Sequence, residues 1–287
     1  MSSPHIPLRK PGRLPPLDYS RPLIMGILNI TPDSFSDGGV YASTQAACDR
    51  GMEMAGLGAD IIDVGGESTR PGARPISCDE QCERVLPVIE RLRTSLPSAV
   101  HVSIDTRSSV VARRALASGA GIINDIGAGR DDPQIFTVAA ESGALLVLMH
   151  MQGTPETMQD RPYYDDVLRE VHEFLMQRVA VAEAAGVSRE QIILDPGIGF
   201  GKRSRDNLRL LANLEHFVAT GFPILLGTSR KRFMGDICRT SDPRQLGTAS
   251  AVTTGLGVLA GVQIFRVHDV EENRQAADIA RAVLANR

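Results

Sequence analysis

The sequence predicts an α/β fold, a single (β/α)8 TIM barrel preceded by a short extended lead-in. Three observations carry this prediction. Short runs rich in Ile, Leu and Val recur from residue 23 onward, at 23–28, 61–64, 100–104, 122–123, 145–149, 192–194, 224–226 and 264–267. Runs that short and that apolar fit strands buried on both faces. Segments with helical periodicity lie between them, among them 44–57, 79–92, 108–117, 167–185 and 275–284. Finally, one polar residue closes each run: Asn29, Asp63, Asp105, Asn124, His150, Asp195, Ser229 and His268. These residues recur every 34 positions or so, the repeat of a barrel of about 250 residues.

The elements follow in order. The opening MSSPHIPLRKPGRLPPLDYS carries five prolines and lacks the apolar centre of a secretory signal, so residues 1–20 read as an extended or mobile lead-in. The barrel is expected over 21–287, with no composition break to divide it. Ser77 with Glu80 three residues on marks a helix start. Gly58-Ala59-Asp60 and Gly119-Ala120-Gly121 end helices ahead of the next strand. A doubly wound open sheet is the alternative built from the same alternation.

Composition excludes several functions. Thirty-one basic residues face 34 acidic ones, a net charge of −3, so no basic excess exists to neutralise a nucleic-acid backbone. Aromatic residues are 4% with no Trp, a poor base-stacking surface. No stretch reaches 18 uninterrupted apolar residues, so no membrane span is expected. Four cysteines are too sparse for a disulfide framework, and a cytoplasmic location is expected.

In such a barrel the site lies at the C-terminal strand ends. Polar, glycine-rich segments fall there: NITPDSFSDGG after the first strand, DVGGESTRPGA after the second, then SIDTR, NDI, MHMQGTP, DPGIGFGK, GTSRKRF and RVHD. An apolar run that ends in Asp, Asn, Arg or His is unfavourable unless those groups line a polar cavity. The charges read as two separate groups. Arg70, Arg266 and His268, with Asn29 and Thr69, form a cationic clamp for phosphate or carboxylate, His268 adding a donor or a protonatable group. Asp105, Asn124 and Asp195 would hold a planar heterocycle or stabilise positive charge on it. Lys231 could reach a ring carbonyl or carboxylate, and Phe35, Met149 and Phe200 supply apolar walls. Asp63 reads mainly as part of a buried polar cluster, Asp125 and Asp269 as supporting groups or helix caps, and His150 as a core histidine. Gly197, Gly199 and Gly201 read as loop bending and close ligand approach rather than a dinucleotide fingerprint.

The ordered set ILNITPDSFSDGG, DVGGESTRPGA, SIDT, MHMQGTP, LDPGIGFGK, TSRKRF and RVHD resembles the dihydropteroate synthases, from about Leu23 to Arg287. The resemblance implies a pterin-binding barrel that joins 6-hydroxymethyl-7,8-dihydropterin diphosphate to 4-aminobenzoate, with Mg²⁺ as cofactor, in a cytoplasmic homodimer. It implies that Asp105, Asn124, Asp195 and Lys231 hold the pterin and that Asn29 and Asp37 bind the metal. Thr69, Arg70, Arg266 and His268 would grip the diphosphate, while Phe35, Thr69, Pro71 and Lys231 border the aminobenzoate. Asp105, Lys231, Arg266 and His268 would carry the catalytic roles. Two residues depart from the family pattern: Arg232, where many members carry Ser, and Glu156, where a basic residue is common. A pterin-binding methyltransferase and a pterin-binding paralogue without turnover remain the alternatives.

Overall fold

In the computed structural model the described residues are 16–30, 39–67 and 76–287. Eight parallel strands alternate with helices. The strands are β1 (Leu23–Asn29), β2 (Ile61–Gly65), β3 (His101–Asp105), β4 (Ile122–Asp125), β5 (Leu145–Met149), β6 (Ile192–Asp195), β7 (Leu225–Leu226) and β8 (Ile264–Val267). The helices are α1 (Gly39–Gly56), α2 (Cys78–Ser95), α3 (Ser109–Ala117), α4 (Gln134–Ser142), α5 (Val167–Ala184), α6 (Ser204–Leu211), α7 (Leu214–Val218), α8 (Arg232–Cys238), α9 (Gly247–Leu259) and α10 (Val270–Leu284).

The strands pair in the order β6-β5-β4-β3-β2-β1-β8-β7, and a parallel bridge between Leu194 and Ile224 joins β6 to β7. That bridge closes the sheet and excludes the open doubly wound alternative. The seam around β7 is the weakest part of the sheet: one isolated bridge joins it to β6, and it pairs with β8 at two positions, Leu225 with Ile264 and Leu226 with Phe265.

Strand alternation sorts the core into two clusters. One set of strand residues, including Ile24, Leu28, Ile62, Val64, Ile104, Ile123, Leu146, Leu194 and Phe265, packs with the helices in the outer layer. The other set forms a separate inner cluster: Leu23, Met25, Ile61, Ile122, Val147, Ile193, Leu225 and Ile264. Four isoleucines of this inner cluster each stand two residues before a polar one on the same strand. Ile61 precedes Asp63, Ile122 precedes Asn124, Ile193 precedes Asp195, and Ile264 precedes Arg266. Two residues along a strand is one step of about 6.6 Å on the same face. The lumen is therefore an apolar floor beneath a polar tier.

Leu17 and Tyr19, expected to belong to a loose lead-in, pack against that floor. Helix starts are locally encoded. Ser77 accepts from the Glu80 amide at 3.1 Å, as its position predicted, but the Glu80 carboxylate pairs with Arg84 instead of closing the reciprocal half of the box. Ser108 caps α3 and Asp166 caps α5 through their own side chains.

Candidate active site

The polar tier gathers side chains from β2, β3, β4, β6 and β8 at the C-terminal strand ends. At its centre lies Arg266. Its Nε donates to Asp63 Oδ2 at 2.7 Å and its Nη2 donates to Asp105 Oδ2 at 2.7 Å. The same Asp63 oxygen accepts from Asn124 Nδ2 at 3.0 Å. Asp63 is fully buried, so its charge needs this partner. The Asp195 carboxylate accepts from the Gly197 amide at 2.7 Å through Oδ1.

This geometry changes the expected layout. The sequence suggested cations in one place and carboxylates in another, but Arg266 is seated among the carboxylates. A guanidinium two residues beyond Ile264 projects into the lumen, where opposite charge is the condition for burying it. Burial alone would lower its affinity for a proton, and Asp63 and Asp105 more than offset that, so the group stays charged. Asp63, expected chiefly as a buried polar residue, is the group on which Arg266 and Asn124 converge. The signal was present in the sequence as period-two spacing from Ile61.

Burial shifts the ionisable groups toward their neutral forms. It raises Asp105 well above the ordinary carboxylate range, with Arg266 opposing it. It raises Asp195 to about 6, opposed by the Gly197 amide and then Lys231. It lowers Lys231 to about 8, with Arg266 adding to the effect. His268 falls to about 3 through burial and the nearby Arg266, so its ring is neutral at pH 7. At neutral pH His268 is therefore an uncharged hydrogen-bonding ring and not one of the cations of the mouth. Ser229 Oγ lies 3.0 Å from His268 Nδ1 and accepts from the His268 amide at 3.1 Å.

The apolar wall is a cluster of Ile126, Met149, Met151, Met158 and Phe200. Lys231 Nζ lies over the Phe200 ring at 3.9 Å from its centroid, a cation–π contact. Gly199, with φ +84°, makes this possible: a Cβ there would lie 2.8 Å from Lys231 Cδ. Gly197 is crowded by the protein itself, since a Cβ would lie 1.9 Å from the His150 carbonyl oxygen. Close approach by protein rather than by ligand accounts for these two glycines. Lys202, which sequence reasoning assigned no role, explains the tightness of this loop. Its buried ammonium donates to the carbonyls of His150, Gly197 and Phe200 and lies 2.9 Å from His150 Nδ1.

Asn29 ends β1 beside Asp105. Between them Gly65 leaves a gap, in which a Cβ would come within 3.3 Å of Asn29 Oδ1 and 3.6 Å of Asp105 Cβ. Among the described residues no cluster of three or more His, Cys, Asp or Glu stands ready for a metal. Phe35, Asp37, Thr69, Arg70 and Pro71 lie outside the described residues. Arg232 is exposed as the first residue of α8, and Glu156 is exposed on the segment after β5.

A model of the pterin binding enzyme family matches residues 25–268. The dihydropteroate synthase of Escherichia coli is 44% identical over 269 residues, which is 94% of each chain. The solved structure of the Yersinia pestis dihydropteroate synthase with a sulfonamide drug has a TM-score of 0.88 to this chain at 41% identity, covering 94% of this chain and 96% of that one. That of the Xanthomonas albilineans dihydropteroate synthase with 7,8-dihydropteroate gives 0.84 at 41% identity, covering 94% and 96%.

Proposed function

Because the chain belongs to the pterin-binding enzymes and, within them, to the dihydropteroate synthases, transferases of folate biosynthesis, we propose how its own residues divide the work. The reaction condenses (7,8-dihydropterin-6-yl)methyl diphosphate with 4-aminobenzoate to give 7,8-dihydropteroate and diphosphate. The observation that carries the residue assignment is the interlocked set of Arg266, Asp63, Asp105 and Asn124 above an apolar floor.

A flat, electron-poor bicycle fits between the Met149–Phe200 wall and the polar tier. Asp195 and Asn124 accept from and donate to its ring edge, Asp105 faces it from β3, and Lys231 approaches across Phe200. The methylene carbon-to-oxygen bond breaks with its electron pair leaving on the diphosphate. Asp105 stabilises the positive charge left on the pterin, and water is kept from it by the buried wall. The amine lone pair of 4-aminobenzoate then forms the new carbon–nitrogen bond, and the nitrogen sheds one proton. Arg266, with Nε and Nη2 held by Asp63 and Asp105, meets the departing anion through Nη1 and its charge, His268 donates a hydrogen bond, and Thr69 and Arg70 complete the grip. Phe35, Thr69, Pro71 and Lys231 border the aminobenzoate.

Mg²⁺ belongs to the same proposal. Asn29 offers a hard amide oxygen next to the Gly65 gap, which suits an ion that keeps most of its ligands as water and phosphate oxygen, and Asp37 would be its carboxylate partner. When bound, the ion would neutralise charge on the diphosphate.

A homodimer is supported by paired exposed stripes on adjacent helices. Val252 and Leu256 on α9 are 57% and 55% exposed, and Ile279 and Val283 on α10 are 69% and 51%. Four cysteines without disulfide partners favour a reducing compartment, in keeping with the cytosol, and no helix among the described residues is long and apolar enough to cross a membrane.

The test is direct. With Mg²⁺ present, diphosphate should be released only when both the pterin diphosphate and 4-aminobenzoate are supplied. Release that ignores 4-aminobenzoate, or no release with both, would overturn the reading.

A further inference from the structure

We infer that Arg230 and Asp269, neither of which belongs to the ligand-facing set above, form a latch that positions Lys231 and His268 at the seam of the barrel; its kinetic arm rests on the synthase reading.

The need for a latch comes from the strand. β7 is two residues long, and its ladder to β8 stops at Leu226. Lys231 lies five residues beyond, on chain that the sheet does not hold. Side chains hold it instead. Thr228 Oγ1 lies 2.7 Å from Thr253 Oγ1 on α9. Ser229 Oγ binds both the amide and the ring of His268. Arg230 donates its own amide to Ser250 Oγ at 3.1 Å, and Ser250 donates in turn to the Leu246 carbonyl at 2.8 Å.

The Arg230 side chain then crosses the seam. Its Nε donates to Asp269 Oδ2 at 3.0 Å, and its Nη2 donates to Asp269 Oδ1, a two-pronged pair. Consecutive residues 229 and 230 of one loop thus meet consecutive residues 268 and 269 of the other. Lys231 follows the first pair and His268 belongs to the second, so both ligand-facing groups ride on one cross-linked unit.

Two features set this apart from an ordinary surface ion pair, which contributes little to stability. Asp269 stands at the N-cap of α10, where an aspartate normally accepts from the first helical amides, yet its side chain makes no cap bond and serves Arg230 instead. Arg230 itself is held at φ +58°, a left-handed conformation unfavourable for a long L side chain. That conformation turns the chain so that successive side chains face Asp269 and then the lumen. Arg266, Asp195 and Asp105 are the charged groups that meet Lys231 there.

The test uses the full chain carrying D269N, R230K or the exchange R230D/D269R. Lys231 acetylation is followed by peptide mass spectrometry as a function of pH, and kcat/KM is measured beside it. In the unaltered chain the acetylation midpoint should lie near 8. In D269N and R230K it should climb by at least one pH unit as the ammonium leaves its pocket, and kcat/KM should fall roughly 10- to 100-fold, the scale of a displacement of about 1 Å at a site. The urea midpoint of unfolding should stay put, and the exchange should restore part of both losses. R230K keeps the cation and serves if D269N does not fold. An unmoved Lys231 midpoint in a folded D269N or R230K chain would overturn the latch, whatever the turnover. A moved midpoint in a chain without synthase turnover would uphold the latch and remove the synthase reading.

Discussion

The floor and the mouth of this barrel are built from the same strands, one inward-facing position apart, and they behave as different solvents. At the floor Ile61, Ile122, Ile193 and Ile264 are wholly buried against one another. One step up, Asp63, Asn124 and Arg266 are buried or nearly so and satisfy one another, while the buried Asp195 is satisfied by the Gly197 amide. Each floor residue gains about 1.5–3 kcal/mol from leaving water. Each mouth residue loses solvation and recovers it only through its partners. The lesson is that the fold is held at the floor and chemistry is placed at the mouth, with a single residue step separating the two tasks.

That separation can be broken on purpose. The largest expected effect on activity comes from Asp105→Ala, which leaves Arg266 with one carboxylate and, on the assignment proposed above, removes the charge facing the pterin. kcat/KM should drop about 10²- to 10³-fold, as for loss of a group aimed at developing charge. Steady-state kinetics with stability measured in parallel check this, and a drop that merely follows unfolding would place Asp105 with the floor.

Ile193→Ala should do the reverse. It should cost about 2–5 kcal/mol of stability by opening a cavity, with kcat per folded molecule within about twofold of the parent. Urea unfolding and active-site titration distinguish the two losses.

A subtler effect concerns pH. Asp195, raised to about 6, is ionised only above that pH, and Lys231, lowered to about 8, is charged only below it. Asp105, raised to about 7, must be ionised as well, so the log of kcat/KM should peak between about 7 and 8 and fall on both sides. Lys231→Arg should carry the basic limb upward, because a guanidinium stays charged. A basic limb that does not move would point to another group, such as Lys202, which burial lowers to about 7.

Smallest of all is Ser103→Ala. The Ser103 hydroxyl is buried beside Asp63 on β3 without a hydrogen-bond partner. Its removal should leave stability within about 1 kcal/mol or raise it slightly. A large loss on thermal unfolding would show that the hydroxyl is satisfied.

Most of the barrel could be read from the sequence because eight short apolar runs with polar ends repeat at barrel spacing, and β1 to β6 and β8 fall within a residue or two of those runs. Ile224 shows the limit. It reads as strand, but in the structure it bridges Leu194 and accepts from the Ile264 amide without joining the ladder, which leaves β7 as Leu225–Leu226. In the candidate site, Asp105, Asn124, Asp195, Arg266 and His268 were legible as polar groups at strand ends, and Lys231 as part of the polar segment after the seventh strand. Their pairing was not. That Arg266 lies between Asp63 and Asp105 depends on the stagger between β8, β1, β2 and β3, which residue spacing does not encode. Lys202 was invisible for a related reason: its partners are carbonyls, and carbonyls carry no sequence signal.

Calorimetric titration of the parent chain and Arg266→Gln, with the pterin diphosphate and with the same pterin lacking its diphosphate, bears most directly on the mouth as a place that separates an anion from a flat ring. Gln keeps a donor for Asp63 while removing the charge. The diphosphate compound should lose at least about 100-fold in affinity, about 2.7 kcal/mol, and the bare pterin less than tenfold. Equal losses for both would contradict the assignment of Arg266 to the departing anion.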